Sequence, residues 1–276
     1  MARRSITTAG PISTTEAGFA RRLVERRPSD NVVRILTFLG LLAGWQLLSM
    51  LLPRIFFASP GKTFEAMGRM ITTGALGDAW RESLGVLVVA LAISAGSGIG
   101  LGILLGRFRL ADRFFEPLLT GLFMTPRIAL IPIIALWLGY QEASKVVVVV
   151  LFSFFEVFFT VRNGVHTIDA QFVEVARAYC VPERVMLRRV ILPATTPFVV
   201  TGLRLGLLHG MVGIVLAGFF LESNGIGGLI LEAAATWRVA DVFTALITVA
   251  AFGVAMNYSL RWLEARVAPW QPRAFA

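Results

Sequence analysis

Residues 84–105 read LGVLVVALAISAGSGIGLGILL and carry no charged side chain. A helix of about 20 apolar residues crosses a hydrocarbon core of about 30 Å, so this stretch predicts a membrane-spanning helix. The chain of 276 residues suits a membrane, because 56% of its residues are hydrophobic, only 16% are charged and its mean hydropathy is +0.74. Soluble domains are about 45–50% apolar and about 25% charged, which argues against a soluble enzyme.

Further apolar stretches on both sides of this one approach the length of a span, so we expect an all-α membrane protein with six membrane-spanning helices. The fourth stretch is short and is interrupted by Glu156. In the second, Gly98, Gly102 and Gly106 form a small-xxx-small series that predicts close packing against another helix. The expected spans are residues 32–52, 84–105, 118–138, 146–161, 198–221 and 242–263.

The charge pattern predicts the orientation of the chain. The net charge of +9 does not indicate a nucleic-acid-binding protein, because the arginines lie in short clusters between apolar runs. Most of them fall in the N-terminal segment, the second and fourth loops and the C-terminus, which are therefore cytoplasmic by the positive-inside rule. We expect a disordered basic tail at residues 1–30, a transmembrane domain at 31–270 and a C-terminal tail at 271–276.

The fourth loop, residues 162–197, predicts a helix-turn-helix with a charged face. Asp169 can cap a first helix that runs to about Tyr179, and Pro182 suits the start of a second helix. That second helix, residues 183–192, should end at Pro193. A charged helix pair across the cytoplasmic ends of the spans is shaped to dock a soluble partner, and its basic residues are Arg184, Arg188 and Arg189.

The same loop carries a recognisable motif. Glu174-Val-Ala-Arg-Ala-Tyr-Cys180 followed by Val190-Ile-Leu-Pro193 resembles the EAA signature of ABC importer permeases, in which Glu-Ala-Ala precedes Gly and then Ile-x-Leu-Pro. The spacing agrees throughout, although Val175 stands for Ala and Cys180 for Gly. Four more segments, in the same order, are similar to the branch that imports nitrate, sulfonates, taurine and pyrimidine precursors. They are Pro126-Arg-Ile-Ala-Leu-Ile-Pro132, Leu136-Trp-Leu-Gly139, Gly202-Leu-Arg204 and Gly225-Ile-Gly-Gly-Leu-Ile230.

The resemblance implies a type I importer permease in the bacterial inner membrane, paired with a second copy, two ABC ATP-binding subunits and an extracytoplasmic solute-binding protein. The solute would be small and anionic or polar. ATP and Mg²⁺ would be bound by the ATPase, since this chain has no Gly-x-x-x-x-Gly-Lys-Ser/Thr phosphate loop. Closure of the ATPase would move the fourth loop and turn the spans from inward-facing to outward-facing. The coupling residues that the resemblance implies are Glu174, Ala176, Arg177, Cys180, Arg184, Arg188, Leu192 and Pro193.

Two of these coupling residues keep a second interpretation. Glu174 could instead pair locally with Arg177, three residues along the same helix. Cys180 stands where the family has glycine, which predicts that the chain turns there through a left-handed conformation. The alternative is that Pro182 makes the turn alone and Cys180 stays right-handed.

Charged residues at membrane depth are costly and indicate a functional site. At 1.5 Å per residue, Arg127 lies about 13 Å and Glu156 about 9 Å above the cytoplasmic ends of their spans. We expect the two to pair, or to line the translocation path together with His209. The alternative is that Arg127 binds carbonyls freed by Pro126 and Pro132, while Glu156 is protonated or reaches interfacial water.

Two segments on the outer side also predict local structure. Ser59 is a helix N-cap followed by Pro60 at the first helical position, which favours an amphipathic helix on the outer face. Residues 222–231 cannot cross the bilayer and form either a plain loop or a re-entrant segment that acts as an outer gate. The apolar residues of the amphipathic helix are Phe64, Met67 and Ile71, and the gate glycines are Gly225, Gly227 and Gly228.

Other classes of protein explain less of the sequence. A six-span secondary transporter or channel is the alternative, but no internal repeat is visible and that class does not explain the EAA-like loop. A membrane-embedded enzyme would need a nucleophile and base or a metal cluster, whereas His166 and His209 are isolated. The single cysteine excludes an internal disulfide and a Cys/His metal site. A non-transporting assembly factor is disfavoured equally, so we expect no catalytic residue and no metal.

Overall fold

The computed structural model describes residues 30–53, 55–168, 170–221 and 224–267. The predicted C-terminal tail, the N-cap at Asp169 and the N-terminal tail before Asp30 lie outside these ranges. Asp30 itself begins the first helix, α1, Asp30–Leu51, which agrees with the first predicted span and belongs to a compact unit of its own. The second unit contains α2 (Pro60–Thr72), α3 (Ala75–Arg107), α4 (Arg109–Met124), α5 (Ile131–Leu138), α6 (Glu142–His166), α7 (Ala170–Ala178), α8 (Glu183–Met186), α9 (Leu192–Phe220), α10 (Ile226–Ala235) and α11 (Val239–Val267).

The described residues contain five helices that are long and apolar enough to cross a membrane. A sixth span results if α4 and α5 are counted as the two halves of one bent span. The predicted all-α fold with six spans agrees with this arrangement. The five continuous helices are Asn31–Leu51, Ala75–Arg107, Glu142–His166, Glu183–Phe220 and Val239–Arg266.

The predicted span at residues 118–138 is broken rather than continuous. After Met124 the backbone of Thr125 is extended, with φ −66° and ψ 133°, and the chain becomes helical again at Arg127 in a 3₁₀ turn that leads into α5. The two halves are bent by 87° relative to each other. Pro126 causes the break, because the residue before a proline avoids the helical conformation and proline has no N–H to donate.

Helix α6 is longer than predicted and lies at the centre of the second unit. It extends well beyond residues 146–161 at both ends, and Glu156 does not interrupt it, because the carboxylate pairs with Arg127. The helix packs between α3 on one side and α9 on the other. Five of its apolar residues are therefore completely buried, namely Val148, Val149, Val157, Phe158 and Val161.

Glycines allow α3 and α9 to approach α6 closely. On α3, a Cβ atom at Gly98 would lie 3.0 Å from the Val157 side chain, and one at Gly102 would lie 3.0 Å from Val161. The close packing predicted from Gly98, Gly102 and Gly106 is therefore confirmed, with α6 as the partner helix. Helix α9 faces α6 with its own series, Gly202, Gly206, Gly210 and Gly213.

The prediction that Pro193 ends the second helix of the fourth loop is wrong. Helix α8 continues through a π-helical turn at Leu187–Ile191 into α9, which makes one continuous helix over Glu183–Phe220. At the end of that turn the Leu192 N–H bonds the Leu187 carbonyl, five residues back. Pro193 follows this π turn, where the hydrogen-bond register has shifted, so its missing N–H does not end the helix.

Helix α2 begins as predicted but buries a different face. Ser59 caps it by accepting a hydrogen bond from the Lys62 N–H at 3.4 Å, and Pro60 is its first residue. The predicted apolar residues Phe64 and Ile71 are exposed. The face that packs against α3 and α11 consists of smaller or more flexible side chains, namely Thr63, Ala66 and Met70.

Of the two interpretations of residues 222–231, a plain loop is wrong from Ile226 onward. These residues begin α10, whose N-terminus follows α9 after a short connection. The helix folds back against α9 and α11 inside the second unit. Its buried residues are Ile226, Gly227, Ile230 and Ala233.

Candidate functional site

The turn of the EAA-like loop, residues 162–197, is made by Cys180. Helix α7 ends at Ala178, and Cys180 follows with φ +51°, in the left-handed region. The Val181 N–H bonds the Ala176 carbonyl at 3.0 Å, five residues back, which is the hydrogen bond of a Schellman helix end. The predicted left-handed Cys180 is confirmed, and the alternative in which Pro182 makes the turn alone is wrong.

Apolar side chains under this turn hold the loop against the bundle. Ala176 of α7 packs in one buried cluster with Met186 and Ile191, which lie in α8 and the π turn, and with Val165 of α6. Met186 and Ile191 are only 1% and 2% exposed. The two helices of the loop are therefore packed against the end of α6.

The remaining coupling residues whose side chains the structure describes face outward. The Cys180 thiol is exposed, and so are the charged side chains before and after the turn. The side chain of Arg177 lies outside the described residues, so its local pairing with Glu174 stays a prediction. The exposed members of the set are Glu174, Cys180, Arg184, Arg188, Leu192 and Pro193.

An ion pair joins the EAA-like loop to the end of α3. The Arg107 Nη2 atom donates hydrogen bonds to both carboxylate oxygens of Glu183, at 2.9 and 2.8 Å. Arg107 is the last residue of α3 and Glu183 is the first residue of α8. The contact therefore connects the loop to a span that is distant in sequence.

A second ion pair, at the same end of the bundle, is buried. The Arg162 guanidinium donates from Nε and Nη2 to the two oxygens of Asp112, at 2.5 and 2.8 Å, and both side chains are less than 10% exposed. Glu116 lies 3.2 Å from the same Nη2, and His166 Nε2 lies 3.4 Å from Asp112. The group joins the start of α4 to the end of α6, and its paired, hydrogen-bonded charges are of the kind that tolerate burial.

A cleft of about 1110 Å³ opens between these two ion pairs. Its walls are the end of α3, the start of α4, the end of α6 and the EAA-like loop. Charges of both signs line it, so it suits a polar protein segment better than an apolar ligand. The charged lining residues are Arg107, Arg109, Asp112, Arg113, Glu116, Arg162, Glu174 and Glu183.

The three residues assigned to the translocation path lie together. Arg127 Nη2 is 3.2 Å from Glu156 Oε1, and both side chains are 14% exposed. Arg127 Nη1 also donates to the Phe152 carbonyl at 3.0 Å, so the predicted ion pair and a backbone contact coexist. His209 Nε2 lies 3.6 Å from the same Glu156 oxygen. The predicted pairing is present in the structure, whereas the role of the group on a path stays a prediction.

A second charged pair within the spans links α9 to α11. Arg204 Nη1 lies 3.1 Å from Glu264 Oε2, and Thr201 donates to Glu264 Oε1 at 3.0 Å. This pair joins two continuous helices. It therefore provides a structural ion pair with which the Arg127 group can be compared.

At the opposite end, a serine of α3 holds the start of α10. The Ile226 N–H donates to the Ser83 Oγ atom at 2.8 Å, in a buried contact. A Cβ atom at the adjacent Gly225 would lie 2.5 Å from the same oxygen. Glycine is therefore required at this position for Ser83 to cap the helix from another span.

The other two gate glycines mark the contact of α10 with α9. A Cβ atom at Gly218 of α9 would lie 2.5 Å from the backbone of both Gly227 and Gly228. A Cβ at Gly227 would in turn lie 2.5 Å from a carbonyl oxygen of α9. These glycines allow two backbones to touch, and their action as an outer gate stays a prediction.

This arrangement can be compared with known proteins. Residues 98–269 match the family described as binding-protein-dependent transport system inner membrane component. The matched region is more than half of the chain and contains the EAA-like loop and the Arg127 group. The chain belongs to this family. The permease is therefore a multi-pass protein of the inner membrane.

Individual relatives agree with the family. The permease is 28% identical over 265 residues to SsuC of Bacillus subtilis (strain 168), whose name describes an aliphatic sulfonates transport permease; the match covers 95% of the permease and 96% of SsuC. It is 27% identical over 191 residues to the formylaminopyrimidine transport permease protein ThiX of Halalkalibacterium halodurans, covering 69% of the permease and 76% of ThiX. The permease is thus a transmembrane subunit of an ABC importer.

A solved structure shows the same fold. An inward-facing structure of the MetNI methionine ABC transporter aligns with a TM-score of 0.63, although the aligned sequences are only 18% identical. The alignment covers 71% of the permease and 97% of the MetNI chain. The permease therefore has the type I importer fold.

Sequence reasoning missed several residues that the fold brings together. The Asp112–Arg162 and Arg107–Glu183 pairs join segments 50 and 76 residues apart, and no local pattern reports such contacts. Asp112 and Glu116 did leave a signal, because they are acidic residues in a loop that also carries three arginines. Ser83 left none, since a serine in a span most often bonds its own helix.

Proposed function

We propose that two copies of the permease form the path by which a small anionic or polar solute, delivered by an extracytoplasmic binding protein, enters a bacterium. In this proposal the EAA-like loop docks an ATP-binding subunit, which binds ATP with Mg²⁺ and performs the hydrolysis. The permease contributes no catalytic residue. The names of the relatives support the solute class, since aliphatic sulfonates are anionic and formylaminopyrimidine is polar.

The observation that carries the proposal is the continuity of the EAA-like loop with a span. One helix runs from Glu183, beside the Cys180 turn, to Phe220 at the opposite end of the bundle. Movement of a docked ATPase would therefore act directly on a membrane-spanning helix. The exposed charges at Glu174, Arg184 and Arg188 provide the polar contacts that a soluble subunit would bind.

The orientation follows from the same assignment. In the second unit, Arg107, Arg109, Arg113 and Arg162 lie around the same cleft as the EAA-like loop, and the positive-inside rule assigns this end to the cytoplasm. Helix α2, α10 and the capping contact of Ser83 then face outward, where a binding protein would dock. Both termini would be cytoplasmic.

ATP-driven uptake tests this function. The test uses proteoliposomes that contain the permease, its ATP-binding subunit and its binding protein. We expect them to accumulate a small solute such as ethanesulfonate only when ATP is supplied on the side of the membrane where the EAA-like loop lies. Uptake driven by an ion gradient, or passive flux without ATP, would instead support a secondary transporter or channel.

Docking can be tested separately with the natural thiol. Cys180 is the only cysteine of the chain and is exposed at the turn of the EAA-like loop. We expect the ATP-binding subunit to slow its reaction with a maleimide. The matched control places a cysteine at the exposed Glu65 of α2 in a Cys180→Ser background, and its labelling should be unaffected. Equal labelling of Cys180 with and without the subunit would contradict docking at this turn.

A further inference from the structure

The backbone is broken where the Arg127 group lies. Helix α4 ends one residue before the extended Thr125, and the chain bends by 87° before α5. Irregular backbone at membrane depth is tolerated only where it is buried in protein or lines a water-filled cavity, and broken helices form the solute sites of several transporters. The Arg204–Glu264 pair has no such break beside it, because both of its helices are continuous.

Aromatic rings surround the Arg127 guanidinium. Its central carbon lies 4.9 Å from the ring centre of Phe123, 5.7 Å from that of Phe152 and 6.0 Å from that of Phe155. Such rings attract the cation and exclude water, which strengthens its interaction with any anion that reaches it. The positive charge is therefore held in place independently of its carboxylate partner.

The Arg127–Glu156 contact has fewer and longer hydrogen bonds than the Asp112–Arg162 pair. It joins one nitrogen to one oxygen at 3.2 Å, whereas Asp112 holds Arg162 through two nitrogens and two oxygens at 2.5 and 2.8 Å. A guanidinium binds planar or tetrahedral oxyanions best through two parallel hydrogen bonds. Arg127 meets Glu156 through Nη2 alone, while Nη1 donates to the Phe152 carbonyl, so Glu156 makes no bidentate contact and a second anion can compete with it for Nη2.

One side of the group reaches the surface of the second unit. The His209 side chain, which lies against the same Glu156 oxygen, is 44% exposed. It projects from α9, the helix that is continuous with the EAA-like loop. The three residues therefore come from the broken span, the central helix α6 and the helix that the ATPase would move.

We infer that Arg127 is a binding residue for a small oxyanion, a sulfonate or carboxylate group, and that Glu156 forms an ion pair with Arg127 when no solute is bound. The inference rests on the proposed transport function and adds a site within the membrane. Glu156 acts as an internal competitor: it neutralises Arg127 in the empty site, and it limits how tightly the solute is held, which favours release. The permease itself therefore contributes to solute selection.

Ligand-induced stabilisation tests this site without the binding protein. The permease is purified with its ATP-binding subunit, and thermal unfolding is followed with increasing sodium ethanesulfonate at constant ionic strength. Ethanesulfonamide has nearly the same shape without the charge and is the matched control ligand. A ligand at concentration L that binds only the folded state stabilises it by RT ln(1 + L/Kd), so the unfolding temperature rises with ligand concentration. We expect ethanesulfonate to stabilise the wild type and ethanesulfonamide to have no effect.

The variants determine whether Arg127 is responsible. Glu156→Gln should bind ethanesulfonate about tenfold more tightly, because the internal competitor is gone. Arg127→Gln and the double variant Arg127→Gln/Glu156→Gln should lose the effect, whereas Arg204→Gln should keep it. If Glu156→Gln folds poorly alone, ethanesulfonate should increase its folded yield by supplying the missing counterion, and ethanesulfonamide should not.

Two results would overturn the inference. One is equal stabilisation by ethanesulfonate and ethanesulfonamide, and the other is sulfonate stabilisation that persists in Arg127→Gln. Neither result affects the proposed transport function, which is tested by ATP-dependent uptake. Loss of ATP dependence with retained sulfonate binding at Arg127 would contradict that function and leave the site in place.

Discussion

The Arg107 side chain, at the last residue of α3, bonds both carboxylate oxygens of Glu183, at the first residue of α8. This contact fixes the start of the long helix Glu183–Phe220 against a neighbouring span. Glu183 is 71% exposed, so the pair contributes only about 0–1 kcal/mol to stability. Its main effect is therefore on the position of the EAA-like loop.

Breaking this pair should uncouple ATP hydrolysis from transport. We expect Arg107→Glu to lower the number of solute molecules transported per ATP hydrolysed, while the unfolding temperature changes little. The exchanged pair Arg107→Glu/Glu183→Arg should restore much of the coupling, because it restores the attraction. The measurement is parallel uptake and hydrolysis in proteoliposomes. Unchanged coupling in Arg107→Glu would show that the contact is incidental.

Cys180→Gly should stabilise the permease by about 1 kcal/mol, because a residue with a Cβ atom is strained at φ +51° and glycine is not. Thermal unfolding in detergent measures the effect. The matched control is Ala178→Gly, two residues earlier in α7, which should destabilise by about 1 kcal/mol because helical glycine costs backbone entropy. A loss of stability in both variants would argue against strain at Cys180.

Changing the exposed charges of the EAA-like loop should weaken docking of the ATP-binding subunit. We expect Glu174→Ala and Arg188→Glu to reduce its co-purification or its coupled hydrolysis, with normal membrane insertion. The control removes the charge of Glu65, which is exposed on α2 at the opposite end. It should leave both the co-purification and the coupled hydrolysis intact. Wild-type docking and uptake in the two loop variants would exclude these residues from the interface.

The Arg127–Glu156 pair should show non-additive energetics. Arg127→Gln and Glu156→Gln each leave one uncompensated charge, which costs about 3–5 kcal/mol, whereas the double change leaves none. We expect the double variant to be more stable than the sum of the single effects, measured by unfolding without added anion. A control cycle of Arg127→Gln with Glu264→Gln should be additive, since these residues have separate partners. Additivity in the first cycle would mean that the Arg127–Glu156 interaction contributes nothing to the free energy of unfolding.

The features that depend on local chemistry could be predicted from the sequence. Hydropathy reports the spans because burial in lipid requires long apolar helices, although α3, α6 and the continuous helix Glu183–Phe220 proved much longer than expected. The left-handed Cys180 followed from the resemblance, because the chain has cysteine where the family has glycine. The Arg127–Glu156 contact followed from the cost of unpaired charge in a membrane.

Other features depended on tertiary context. A proline near a helix start is compatible with either a break or a continuous helix, and Pro126 produces the first while Pro193, following a π turn, permits the second. The buried Asp112–Arg162 pair joins two helices whose proximity no local pattern reveals. Long-range contacts of this kind are decided by packing of the whole bundle.

The unbroken helix Glu183–Phe220 has a geometric consequence for how far the outer end can move. Its 38 residues correspond to a rod of about 57 Å at 1.5 Å per residue. If the rod pivots near the EAA-like loop, a tilt of about 5° displaces its far end by about 5 Å, roughly one helical turn. That distance would separate Gly218 from Gly227, whose backbones now touch. In the proposed mechanism, the length of this one rod would set the amplitude of opening at the outer face, and a small change in its angle by the ATPase would suffice.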